Sequence, residues 1–382
     1  MNNISKLGIF TILLVSSLTI MVGTAIAPSL SGIIKNTDFS FSPSWLITLP
    51  SLGVVVFAPF IGGILKKSGK FNLLIMGLIP YAVLGVLGAF IKNDYLLIID
   101  RFLLGGATVM VQVSVTAFIA ELFTGETRLK MVSWQVMSIE LGGVVFLALG
   151  GVLGEINWQF PFYIYLLGLV CFLLVIKFLP KSKTVIETEV SDELTKIQNK
   201  LEVNVILMAT LLAMMLFFIG FVTIPLYLPK FFNFDQSETG YLMAFISFIA
   251  IITASQMPKM VRALGDGKTV ALGFIFFMLG YFTLSVALST PVLIIAALLV
   301  GIGFGFTIPL LSNMIIDASD KSNQGKNLSL LSMAIFGGQF LSTFIEYISD
   351  DYKSIYGITA ALAFIIALVL FYLFQKITKN RI

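Results

Sequence analysis

The sequence has no histidine, a single cysteine and little charge. Without histidine it lacks the side chain most used as a general base near neutral pH and as a metal ligand. Cys171 has no second cysteine to pair with inside the chain and falls within an apolar run, so packing is its expected role. No G-x-x-x-x-G-K-[ST] loop occurs, so direct ATP-driven work is not expected. Nothing in these absences favours an enzyme, a metal centre or a cofactor. Charged residues make up 12% of the 382, against about a quarter in soluble domains. That is too few to cover a water-facing surface.

Apolar length stands where charge would be. Hydrophobic residues are 58% of the chain, and the mean hydropathy is +1.01. Runs of roughly 20 apolar residues recur, enough to cross about 30 Å of hydrocarbon as helix. Twelve are read, at 7–28, 45–65, 71–91, 95–119, 131–153, 160–180, 203–228, 238–257, 269–289, 291–316, 328–348 and 355–375. Two-residue alternation is missing, so a membrane barrel is not expected. The first run ends in Ala25-Ile26-Ala27, which resembles a signal cleavage site. It is long for a signal core and eleven runs follow, so it is read as an uncleaved helix.

Lysine and arginine set the orientation. With the N-terminus in the cytoplasm, 19 of the 24 fall on the inner side. Lys35, Lys92, Lys230 and Lys353 fall outside, and Arg101 lies within a span. An even number of spans returns the C-terminus to the cytoplasm. The net charge of +4 is thus a topology signal and requires no nucleic acid. A polar segment at 181–202 separates an N-terminal half, 1–180, from a C-terminal half, 203–382.

The halves read as copies. TAIAPSL at 24–30 parallels TIPLYLP at 223–229, and Gly69-Lys70 parallels Gly267-Lys268. LLIIDRFLLGG at 96–106 parallels VLIIAALLVGIG at 292–303, and LGGVVF at 141–146 parallels FGGQFL at 336–341. Six spans in each half with one orientation make a parallel repeat about an axis along the membrane normal.

Short motifs then carry a family resemblance. GGILKKSGKF supplies Gly62, Lys67, Gly69 and Lys70 to the pattern G-x-L-x-D-R-x-G-R-[RK]. Arg101 with Gly105 resembles a fourth-helix motif, INWQFPFYIYLL at 156–167 a sixth-helix entry, and GIGFGFTIPLLSNMI at 301–315 a tenth helix. In these features the chain resembles the major facilitator superfamily. IPLYLPKFF at 224–232, followed by Gly240, is similar to its drug:proton antiporter branch. The resemblance implies an all-α membrane protein, twelve helices in two six-helix bundles, working by alternating access at the cell membrane. It also implies a conformational gate in the loop bearing Gly62, Lys66, Lys67, Gly69 and Lys70. Two departures stand out. Lys66 occupies the place of the family's loop aspartate. Phe146-Leu147 occupy the Gly-Pro of the exporters' fifth-helix motif, of which Gly150-Gly151 remain.

Glu140 interrupts the apolar stretch MSIELGGVVFLALGGVL. Nine residues from the inner end of its run place it roughly 14 Å deep. An ionised side chain there costs about 2.5–3.5 kcal/mol or more unless water or a partner receives it. Arg101, roughly 9 Å below the outer interface, is the expected partner, with Asp100 as its local alternative. In the second half the corresponding positions are Ala297 and Ile335, so fold assembly does not demand either charge. Glu140 and Arg101 are therefore the proton-coupling candidates, against the alternatives of a purely structural pair and of a cationic substrate bound directly by Glu140. Gln112, Gln135, Asn313 and Gln339 are polar candidates for a substrate cavity, with Met214 and Phe218 as an adaptable apolar wall. Glu121 is expected to be solvated at the inner interface.

The expected function is secondary active transport, with efflux of a small amphipathic molecule driven by protons. The expected partners are that substrate, protons and the lipid bilayer, for a monomeric chain. The alternatives are uptake of a polar or anionic nutrient with Arg101 as its ligand, or a lipid-handling or sensing relative on the same scaffold.

Overall fold

A helix satisfies its own backbone groups, which hydrocarbon requires of any single span. The computed structural model describes residues 4–37, 39–181, 200–320 and 323–379, and among them it contains helices and no strand. Most of the 181–202 segment lies outside the described residues. Two compact units divide the chain: Met1–Glu187 with Phe234–Ala244, and Thr188–Asn233 with Phe245–Ile382.

The first unit contains α1 (Lys6–Thr24), α2 (Leu30–Thr37), α3 (Trp45–Leu87), α4 (Asp94–Leu122), α5 (Gly125–Ile156), α6 (Phe160–Tyr163) and α7 (Leu167–Phe178). Then follow α8 (Lys200–Phe232), α9 (Gln236–Leu264), α10 (Asp266–Ser285), α11 (Thr290–Asp317), α12 (Gln324–Leu341) and α13 (Tyr352–Lys379). Polar side chains mark the starts. Ser5 accepts from the Gly8 N–H at 3.0 Å, and Asn93 accepts from the Leu96 N–H at 3.0 Å. Asp235 and Glu238 cap α9 reciprocally, each carboxylate accepting the other's N–H at 2.7 and 3.0 Å. Asp351 accepts from the hydroxyl and N–H of Ser354, which holds its carboxyl below the usual carboxylate range.

Eleven helical stretches among the described residues are long and apolar enough to cross a membrane. One of them, α3, has 43 residues, about 65 Å of helix at ~1.5 Å per residue, or two membrane thicknesses. It is broken at Gly69, where φ is 75° and ψ is 159°. Counting its two parts separately is consistent with the twelve runs read from the sequence. Ala25, Ile26 and Ala27, the signal-like tripeptide, are fully buried where α1 ends.

The repeat is visible in the packing inside each unit. In the first, α1 packs on α5, α4 and α7, and α3 packs on α4 and α7. In the second, α8 packs on α12, α11 and α13, and α10 packs on α11 and α13. Glycine contacts recur at a constant offset. A Cβ on Gly105 would overlap the Pro50 carbonyl oxygen, and one on Gly301 would lie 2.6 Å from that of Ile246. Both residue pairs are separated by 196 positions. Small residues of this kind let helices touch through their backbones. Tyrosine hydroxyls pin the first helix of each unit: Tyr81 donates to Leu18 O at 2.6 Å, Tyr165 to Val22 O at 2.7 Å, and Tyr281 to Leu216 O.

One element of the sequence alignment is corrected. The counterpart of Gly69 is Gly265 and not Gly267, because Gly265 has φ 82° and ψ 164° at the start of α10. Both glycines occupy a region essentially closed to residues with a Cβ. Neither would meet a clash, since no atom lies within 4 Å of a Cβ on either. Backbone strain is therefore the whole cost. Gly69→Ala should lose about 1–3 kcal/mol, read as a lower melting temperature in detergent. Gly62→Ala, in an exposed helical position, should melt like the parent. Equal melting of the two variants would count against strain at the break.

Candidate functional site

The side chain of Arg101 is fully buried on α4. Its Nε donates to Asp100 Oδ2 at 2.9 Å, and its Nη2 donates to the same oxygen at 2.6 Å. Nη2 also reaches the carbonyls of Leu84 at 2.6 Å and Gly85 at 3.3 Å. These lie in the last turn of α3, whose carbonyls have no partner within the helix. The negative end of the helix dipole thus faces the guanidinium. The rings of Phe162 and Tyr165 stand 5.5 and 5.8 Å from it, a distance suited to cation–π attraction. A Cβ on Gly88 would come 2.6 Å from Nη2, so the glycine makes room for the arginine. Asp100 Oδ1 and Arg101 Nη1 are buried and have no hydrogen-bond partner.

The expected Arg101–Glu140 pair is therefore corrected: the partner of Arg101 is Asp100. Adjacent residues on a helix diverge by about 100° and do not normally face each other. Arg101 overcomes this because its long side chain folds back over the aspartate toward the end of α3. The local alternative offered by the sequence, Asp100, is thus the partner observed, although Asp100 is not among the coupling candidates.

Glu140 lies in the middle of α5 and is half-buried. It makes no ion pair or hydrogen bond among the described residues. Ser138 donates to Leu13 O at 2.7 Å, and a Cβ on Gly142 would lie 2.8 Å from that of Ser17, so these two residues mark the side of α5 that meets α1. Glu140 is two residues from each and projects the opposite way. Its own stripe continues through Leu147 and Gly151. A Cβ on Gly240 would lie 2.7 Å from Leu147 O and 3.0 Å from the Gly151 Cα.

The other candidates are dispersed. Gln112 on α4 and Gln135 on α5 are half-buried, while Asn313 on α11 is exposed. Gln339 is 4% exposed on α12 and is engaged in a contact of its own. Met214 and Phe218 are buried inside the second unit. Met214 lies against Gly338, where a Cβ would approach to 2.9 Å, and Phe218 belongs to a ring cluster with Phe217 and Phe221. In the gate loop Gly62, Lys66 and Lys67 are exposed, Gly69 forms the break, and Lys70 is 3% exposed. Lys70 forms an ion pair with Glu121 and lies 5.3 Å from the Phe118 ring centroid. Solvation alone is thus not the role of Glu121: it is the counter-charge of a buried lysine.

These features describe a helical membrane protein of two like-folded units, the architecture of a transporter. The sequence model of the Major Facilitator Superfamily matches residues 12–343 and 206–381, and the chain belongs to that superfamily. The tetracycline resistance protein, class B, of Escherichia coli is 26% identical over 348 residues, 87% of this chain and 84% of that protein. The quinolone resistance protein NorA of Staphylococcus aureus is 28% identical over 142 residues, 36% of this chain and 37% of its own. Among solved structures, the nucleoside transporter NupG superposes with a TM-score of 0.74 at 13% identity, covering 96% of this chain and 100% of that one. The xylose transporter XylE of E. coli gives 0.72 at 16% identity, with 95% of each chain covered. At these identities the structures speak for the fold alone.

Proposed function

We propose that this chain is a proton-coupled exporter of small amphipathic molecules, working by alternating access between bundles 1–180 and 203–382. Glu140 carries the proposal. An ionisable group in mid-span costs about 2.5–3.5 kcal/mol or more when charged, and among the described residues no cation pairs with this one. A carboxylate so placed gains by taking a proton, and it faces away from the helix that packs on its own. The drug-resistance names of the relatives support export of such compounds. The engagement of Arg101 with Asp100 and α3 carbonyls speaks against its service as an anion ligand for nutrient uptake. Gln112 and Gln135 remain proposed cavity residues.

Everted membrane vesicles test the reading. With an acid interior, wild-type vesicles should concentrate fluorescent lipophilic cations, and a protonophore should abolish it. Concentration that survives the protonophore would reject proton coupling. The inner placement of both termini, in the plasma membrane, is tested separately. Cys171 is buried, so added cysteines report cleanly. Lys67→Cys should react with impermeant maleimide only from the inside, and Asp350→Cys only from the outside. Labelling of both from one side would overturn the orientation.

A further inference from the structure

Among the described residues Asp100 is the one carboxylate in an ion pair deep within a span, and its pairing is incomplete. Oδ2 takes both bonds from Arg101, whereas Oδ1 is buried with no partner. A buried carboxylate oxygen without a donor is costly to keep charged. Arg101, in contrast, does not depend on the aspartate alone. The Leu84 and Gly85 carbonyls accept from it, and two aromatic faces lie beside it. A proton taken at Oδ1 therefore leaves Oδ2 and the two α3 carbonyls still accepting from Arg101.

An open cleft lies at the end of α4 nearest the pair, at Asn93, Asp94 and Tyr95. It has a volume of about 630 Å³ and opens between the ends of α2 and α3 and the starts of α4 and α6, with Asn36, Thr37, Asn93, Asp94, Trp158 and Gln159 in its wall. Asp100 is six residues below Asp94 on α4, about 9 Å along the axis. Gln159 and Ala89, both in the cleft wall, are joined by a hydrogen bond, Gln159 donating to Ala89 O at 2.9 Å, and the next residues lead to Phe162, whose ring stands 5.5 Å from Arg101. The titratable groups facing the pair are few. They are Tyr81 on α3 and Tyr165 beyond α6, with Cys171 on α7 next to Tyr81 and Lys92 and Asp94 in the cleft wall. Helix α1 has only Lys6, at its opposite end, and Glu140 of α5 makes no bond to the pair.

We infer that Asp100 is a second proton acceptor of the transport cycle, loaded from the outer face through this cleft. The inference rests on the proton-coupled reading above. In the step, a hydronium ion in the outside water gives up one proton: its O–H bond breaks, leaving water, and an O–H bond forms at Oδ1. The carboxylate becomes neutral, Arg101 remains cationic on the α3 carbonyls, and no other bond breaks. Release to water reverses the step.

A lipophilic carbodiimide, which reacts with protonated carboxyls in apolar surroundings, tests this on the wild-type protein in proteoliposomes. Peptide mass spectrometry should find Asp100 modified at least about tenfold more at about pH 5.5 than at about pH 8.5 outside. No modification, or equal modification at both, would overturn the inference. Asp100→Asn provides the transport readout with ethidium as probe. It should retain gradient-free ethidium exchange and lose the response of accumulation to outside pH. Asp100→Glu should restore that response with a shifted midpoint, even if Asp100→Asn proves too unstable to insert. A purely structural aspartate would move melting temperature and leave the pH profile in place, which would also overturn the inference. If wild-type protein shows pH-dependent Asp100 labelling but no proton-driven transport, the acceptor stands and the coupled-export reading falls.

Discussion

Glu140→Gln will exchange substrate across the membrane but will not concentrate it. Glutamine keeps the shape and much of the hydrogen-bonding capacity of glutamic acid and cannot ionise. Among the described residues Glu140 has no partner that the substitution would strand, so folding should survive, and removing a mid-span carboxylate should if anything ease insertion. Counterflow without a gradient should proceed near the wild-type rate in proteoliposomes. Accumulation driven by a pH gradient should fall to the level of empty liposomes, and the pH dependence of transport should flatten. If Glu140 instead binds cations directly, accumulation of cationic probes should fall while neutral ones are still pumped. Wild-type accumulation of both would leave Glu140 without a functional role.

Arg101→Ala is expected to act on the fold before it acts on transport. It leaves the Asp100 carboxylate buried beside nothing cationic and removes the donor to Leu84 O and Gly85 O. Removing one member of a buried pair typically costs about 3–5 kcal/mol. The variant should show a sharply lower melting temperature and poor recovery from the membrane. Arg101→Lys should recover part, because a lysine restores the charge and not the fork that bonds the carboxylate twice and the carbonyls besides. Adding Asp100→Asn to Arg101→Ala should restore stability more than adding Glu140→Gln does, since only the first pair is in contact. A double-mutant cycle isolates that coupling. Stronger coupling of Arg101 to Glu140 than to Asp100 would overturn the assigned pair.

What the sequence by itself determined is whatever depends on periodicity and solvent. Twenty-residue apolar runs leave the backbone no option but helix in hydrocarbon, so the spans were legible to within a few residues. The repeat was legible too, because Gly105 and Gly301 serve one function, the close approach of two backbones, in both halves. Glu140 stood out because a single carboxylate in apolar surroundings is conspicuous by composition alone. Contacts between side chains were not legible in the same way. Gly265 rather than Gly267 matches Gly69 because the match is one of backbone angles, which a local string of Gly and Lys does not encode. Met214 and Phe218 carry the same apolar chemistry whether they line a cavity or fill a core, and only the packing of α8 on α12 and of the rings around Phe217 placed them inside. Arg101 found Asp100 because α3 ends where its side chain can turn back, and Lys70 found Glu121 because the break at Gly69 brings the start of one helix to the end of another. Partners of long charged side chains are set by where helices end in space, and that is decided by tertiary structure.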